Sequence, residues 1–169
     1  MNVREKGLTF RFPDGWAVAK YDTWEYYRQH FIKCRDGLKA IDFVAVDPSD
    51  TVWLIEVKDY RLHPRTKTVD LAPEMVGKVV DTLAALLPAG VHATVADEAE
   101  VARRALHSRS IRVVLHLEQP EGQPPLPFRA INLLDVQQKL RMRLRAIDPN
   151  PVVVEMKNMA ALPWSVTPA

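Results

Sequence analysis

The chain has 169 residues, 47% of them hydrophobic and 26% charged, with a formal net charge of +2 and a single cysteine. That length suits one domain, 1–169, with a sizeable core, and the composition is ordinary for a globular protein. A net charge this small gives no argument for nucleic acid by itself, and a lone Cys34 excludes an intrachain disulfide framework and a multi-cysteine zinc site.

Cys34 reads as a buried thiol. The opening MNVREKGLTF lacks the apolar run of a signal peptide. The longest greasy stretch, 79–95, is interrupted by Asp81, Pro88 and His92 and is too short to span a bilayer. The expectation is a cytoplasmic protein without a membrane partner.

Leu8–Phe12 and Trp16–Tyr21 alternate around Pro13-Asp14-Gly15, which predicts an N-terminal hairpin over 8–21. Residues 23–33 fit two patterns, a helix capped by Asp22 or Thr23 or a strand reaching Cys34. Arg35-Asp36-Gly37 then turns the chain into a second hairpin, 38–61, with Pro48-Ser49-Asp50 at its tip. The basic stretch from His63 to Thr68 reads as an exposed loop. A stripe of Leu71, Met75, Val79, Leu83 and Leu86 predicts a helix over 70–87, ended by Pro88-Ala89-Gly90. A more polar helix follows over 97–107, then a strand over 111–117 and a proline-rich loop over 119–127. Asn132 caps a helix running to about Ile147, Val152–Met156 forms a last strand, and Trp164 anchors the tail. Strands alternating with helices predict an α/β fold, a mixed sheet with helices on both faces.

Three charges interrupt the central hairpin: Asp42, Glu56 and Lys58. Charge in a buried strand is expensive unless it is paired or bound to a metal. If the turn brings Asp47 opposite Thr51, cross-strand partners carry numbers summing to 98. Asp42 then faces Glu56, and Lys58 shares their face. A slip of one residue would send Asp42 to the other layer. Two facing carboxylates repel unless a positive charge lies between them. A hard divalent cation with oxygen ligands fits, and Mg²⁺ takes one or two carboxylates plus waters and substrate phosphate. A neighbouring ammonium then stabilises developing charge or helps activate water, so the arrangement suggests phosphodiester hydrolysis.

Asp42, thirteen intervening residues and then Glu56-Val57-Lys58, followed by a helix, resembles the PD-(D/E)XK superfamily of restriction-endonuclease-like nucleases. The core of the likeness covers 38–87, and the phrase Ile55-Glu56-Val57-Lys58-Asp59-Tyr60-Arg61 is close to the form the motif takes in bacterial members. The resemblance implies a restriction-endonuclease-like fold and a Mg²⁺-dependent nuclease acting on DNA, with Mn²⁺ able to substitute. It also implies that Asp42, Glu56 and the Val57 carbonyl hold the metal, that Lys58 is the catalytic lysine, and that an additional acid precedes the hairpin. Glu25 is the residue available for that last role if 23–33 is helical. Ile41 replaces the usual proline before the first acid.

Arg61 and Lys78 are placed to meet a nucleic-acid backbone, although Arg61 equally suits Asp59 and Lys78 a solvated helix face. The basic run Lys139, Arg141, Arg143 and Arg145 serves either DNA contact or solubility. A second Glu-x-Lys, Glu155 to Lys157, has no acid on a preceding hairpin strand. Two other readings stand beside the nuclease. One is a catalytically inactive domain of the same fold that binds nucleic acid or assembles with a protein, a homodimer included. The other is an unrelated α/β protein in which Lys58 neutralises Asp42.

Overall fold

The structure, a computed structural model, describes residues 1–63, 65–66, 70–120, 122 and 130–169. Strand β1 (Asn2–Glu5) turns through Lys6-Gly7 into β2 (Leu8–Arg11). After Pro13-Asp14-Gly15 the chain enters β3 (Ala17–Lys20) and a 3₁₀ turn at Tyr21–Thr23. A short helix, α1 (Glu25–Gln29), and a second 3₁₀ turn settle residues 23–33 as helical. The predicted hairpin over 8–21 does not form. β2 pairs with β1 and with the last strand, whereas β3 pairs with β4 (Phe43–Val46). The Pro-Asp-Gly turn passes the chain from one sheet to the other: Leu8, Phe10 and Phe12 face the second sheet and bury completely on it.

β4 and β5 (Thr51–Asp59) form the expected antiparallel pair, and its register runs Phe43–Ile55, Val44–Leu54, Ala45–Trp53 and Val46–Val52. The turn fixes that register. Asp47 Oδ1 accepts from the backbone N–H groups of Ser49 (2.8 Å) and Thr51 (3.0 Å), and Asp50 sits at φ 58°. Such local carboxylate-to-backbone bonds are why Asp favours turns.

Helix α2 (Leu71–His92) is capped by the Asp70 carboxylate and continues through Pro88, past the predicted stop. Proline removes one helical bond, to the Ala84 carbonyl, but Ala84 lies on the solvent side. Tertiary contact outweighs that loss. Ala89 and Gly90 are buried, and a Cβ on Gly90 would meet Leu106 Cδ1 at 3.3 Å and Arg103 Cγ at 3.4 Å on α3 (Ala96–Leu106). α2 is long and apolar enough to cross a membrane by length and composition, and 44% of its most apolar stretch is buried inside this fold. Strand β6 (Ser110–Glu118), helix α4 (Leu133–Leu144) with Asn132 as its cap, β7 (Val152–Val154) and β8 (Ser165–Pro168) complete the chain. The proline loop lies outside the described residues at Pro124, Pro125 and Pro127, as do Pro64, Lys67 and Thr68 of the basic stretch.

The main sheet has the order β3-β4-β5-β6-β7, with antiparallel pairs first and parallel pairs from β5 onward. Among the described residues, helices do not cover both faces. Parallel crossovers are right-handed, and β5→β6→β7 advance in one direction, so α2, α3 and α4 fall on the same side. Their core contains Val44, Leu54, Met75, Val79, Leu115 and Leu140. The other face, with Phe43, Ala45, Ile55 and Val57, is covered by the small sheet β1-β2-β8 through Phe10, Phe12 and Trp164. Cys34 is exposed after the second 3₁₀ turn, contrary to the buried reading.

Candidate functional site

Asp42 lies one residue before β4 and is 3% exposed. Beyond the Phe43–Ile55 pair β4 ends, and the Asp42 side chain takes over as acceptor for β5. Val57 donates its backbone N–H to Asp42 Oδ2 at 2.6 Å. The Asp42 carbonyl meanwhile accepts from the Tyr21 N–H at 2.9 Å. The carboxylate is therefore both buried and locked at the join of three segments.

Glu56, in the middle of β5, is fully buried. Its Oε1 accepts from Lys78 at 2.6 Å and lies 2.9 Å from the Lys58 ammonium; its Oε2 is buried without a hydrogen-bond partner. Burial raises the Glu56 pKa above the ordinary carboxylate range and the nearby Asp42 charge pushes the same way, with Lys78 and Lys58 opposing. That effect places Glu56 within the field of Asp42, although the strand pairing itself stops at Phe43–Ile55 and does not reach the two acids.

Lys58 is held from two sides, by Glu56 and by Glu74 Oε1 at 3.1 Å on the first turn of α2. Burial alone would lower its pKa; attraction and hydrogen bonds from Glu56 and Glu74 outweigh this, and the value is raised. Lys58 thus stays an ammonium at any physiological pH. It is suited to stabilising negative charge and unsuited to taking a proton from water. Glu74 also accepts from Arg65 at 3.1 Å. Burial would raise its pKa, but Lys58 and Arg65 bring it down to about 2.

The cation on Asp42 is Lys6, not Lys58. From the β1–β2 turn, the Lys6 ammonium donates to Asp42 Oδ1 (3.0 Å), Asp42 Oδ2 (2.9 Å) and the Val57 carbonyl (2.8 Å). The structural ion pair between Asp42 and Lys58 does not occur, and the sequence reading did not include Lys6. A signal for it exists: two alternating runs, Asn2–Glu5 and Leu8–Arg11, flank a two-residue X-Gly pair, which marks a tight hairpin.

Glu25 is exposed at the start of α1, and its backbone N–H donates to Glu98 Oε1 at 2.7 Å. Among the described residues no hydrogen bond or ion pair ties its carboxylate to Asp42 or Glu56. The acid before the hairpin that does feel Asp42 is Asp22. Its pKa is raised by burial first, then by the charges of Asp42 and Glu5, and its Oδ1 is buried without a partner. Lys78 is no solvated lysine; 16% of its side chain is exposed and it completes the Glu56 clamp. Arg61 is engaged by Asp59, through Nε at 2.9 Å and Nη2 at 2.6 Å. Lys139 pairs with Asp70 and Asp135, and Glu155 lies beyond the end of β7. Among the described residues no group of three or more Asp, Glu, His or Cys side chains is gathered for a metal; the oxygen donors here are two carboxylates and one carbonyl.

No family model matches the chain. No solved structure matches it either. The chain is similar to the cysteine–tRNA ligase of Neisseria meningitidis serogroup A, with 32% identity over 70% of this chain and 21% of that enzyme. The chain spans about a fifth of that relative's length.

Proposed function

We propose that the chain is a divalent-metal-dependent nuclease of restriction-endonuclease-like fold, hydrolysing phosphodiester bonds of DNA in the cytoplasm. The observation that carries this reading is the pair of buried carboxylates where β4 ends against β5. The Asp42 charge raises the Glu56 pKa, Glu56 Oε2 has no partner among the described residues, and an ammonium already sits on Asp42 and the Val57 carbonyl. A fully buried carboxylate oxygen with no donor is rare and calls for an explanation such as an unseen ion. The donors are all hard oxygens, which suits Mg²⁺ or Mn²⁺. Asp42, Glu56 and the Val57 carbonyl would hold the ion, which supplies Lewis acidity and lowers the pKa of bound water. Lys58 carries a fixed positive charge toward the phosphate, held in place by Glu74. Lys78 keeps the Glu56 carboxylate oriented.

The similarity to a tRNA ligase puts tRNA beside DNA as a substrate to be tried. Plasmid, single-stranded DNA and tRNA are each incubated with the pure protein and Mg²⁺, then with EDTA, beside Lys58→Ala. Cleavage that EDTA stops and Lys58→Ala lacks is the expected result. Intact substrates throughout, with Mn²⁺ as well as Mg²⁺, would remove the nuclease reading.

Lys6 favours a second reading, in which the domain is catalytically inactive and serves as a nucleic-acid-binding or assembly module, as a homodimer or with a partner protein. Its ammonium already balances the Asp42 charge, as Lys58 and Lys78 balance Glu56. Retention of nucleic acid without cleavage, and no Mn²⁺ binding by any variant of the site, distinguishes this reading from the first.

A further inference from the structure

Lys6 is in an unusual place for a lysine. β1 and β2 are joined by two residues, Lys6 at φ 46° and Gly7 at φ 74°, with Glu5 paired to Leu8. A two-residue hairpin with both central φ values positive suits Asn, Asp or Gly first and Gly second. Lysine in the left-handed region costs about 1–2 kcal/mol and gains nothing from the turn itself. What the conformation achieves is the aim of the side chain. It carries the ammonium onto both Asp42 oxygens and the Val57 carbonyl, two of the three groups that would ligate a metal.

We propose that Lys6 is a tethered cation that competes with the divalent metal for Asp42 and the Val57 carbonyl, so that the site loads only when the β1–β2 turn releases it. The inference rests on the metal-site reading above. Two features make the contact reversible. The Lys6 side chain is 37% exposed, so the ammonium has a path to solvent that a sealed ion pair lacks. A second carboxylate is already at hand: Glu5 Oε1 is 3.7 Å from the Lys6 ammonium, and its other oxygen is held by Lys20 at 2.9 Å. Glu5 is thus within reach of an ammonium that leaves Asp42. The exchange never leaves Asp42 bare, since one cation takes the place of another beside a buried acid.

The test is Mn²⁺ binding by the full chain without nucleic acid, read by calorimetry for the wild type, Lys6→Met, and Lys6→Met combined with Asp42→Asn. Apparent affinity scales with the fraction of protein whose site is open, so Lys6→Met should bind Mn²⁺ roughly tenfold tighter or more. Adding Asp42→Asn should remove that binding. Equal, measurable affinities for the wild type and Lys6→Met overturn the competition while leaving the metal site standing. Absence of binding by both overturns the metal-site reading and the inference together. A measurement on the wild type alone guards against a variant that does not fold. Mn²⁺ should speed tryptic cleavage after Lys6 relative to other sites in the chain, and an unchanged or slower relative rate overturns the release of the turn.

Discussion

Glu74 offers a test of the cluster that needs no substrate. Its carboxylate is 6% exposed, accepts from Lys58 and Arg65, and titrates at about 2 instead of 4.5. The folded state therefore prefers the ionised form more than the unfolded chain does. That preference stabilises the protein fully above pH 4.5 and is lost as the pH falls from 4.5 toward 2. At 1.36 kcal/mol per pH unit the shift corresponds to about 3 kcal/mol as an upper limit. Water reaching the partners screens much of this, leaving about 1–2 kcal/mol. Urea unfolding of the wild type and Glu74→Gln, repeated from pH 7 down to pH 2.5, reads the difference directly. Glutamine keeps the shape and the acceptor but not the charge. The stability gap should hold at about 1–2 kcal/mol down to pH 5 and shrink steadily below it. A gap of constant size across the whole range would show that Glu74 acts by packing or neutral hydrogen bonding, and the argument that it keeps Lys58 charged would fail with it.

Two further predictions concern the frame around the site. Asp42→Ala removes the acceptor of the Val57 N–H and the carboxylate on Lys6 at once, leaving a buried donor and an ammonium that keeps only the Val57 carbonyl and the more distant Glu5. It should lower unfolding stability by about 3 kcal/mol, measured by urea denaturation. A loss below about 0.5 kcal/mol would mean that water replaces the carboxylate with ease. Glu98→Ala strips α1 of its cap, since Glu98 accepts from the backbone N–H groups of Glu25 at 2.7 Å and Tyr26 at 3.1 Å. Thermal melting should show a loss of about 1 kcal/mol, with Glu98→Gln recovering part of it, and identical losses for the two variants would refute a capping role.

The Asp42 prediction also marks a difference between the sequence and the folded chain. Read as a metal ligand alone, Asp42 is replaceable without structural penalty, and its alanine variant is expected to leave the fold intact. Folded, it stands in for a missing residue of β4 on the ladder of β5, so the side chain is part of the framework in its own right. Sequence pattern cannot separate those roles, because a strand's last residue is identified only by what its neighbour bonds to. The same limit explains α2. Pro88 and Gly90 are stop signals by propensity, yet Gly90 is where α3 approaches closely, and that packing lies outside any local window.

What was legible in the sequence travelled along paired strands. Asp47 and a three-residue turn set the register, and from the register followed the pairing of 43–46 with 52–55 and the two layers it divides. What was illegible came from elements with no register to the hairpin. Lys6 is 36 positions from Asp42 in the chain, on a strand pair belonging to another sheet. Glu74, Lys78 and Arg65 reach the site from α2 and the segment before it. Lys6, Lys78 and Glu74, which answer the charges on Asp42, Glu56 and Lys58, therefore arrive by packing and not by pairing; the contact between Glu56 and Lys58 within β5 is the exception. A buried carboxylate found by pattern announces that a counter-charge must exist, since none can be left bare in a sheet this dry. The pattern does not say whether that charge is a metal or a lysine. At Asp42 the fold holds a lysine, and the affinity of Lys6→Met for Mn²⁺ decides which of the two the site was shaped around.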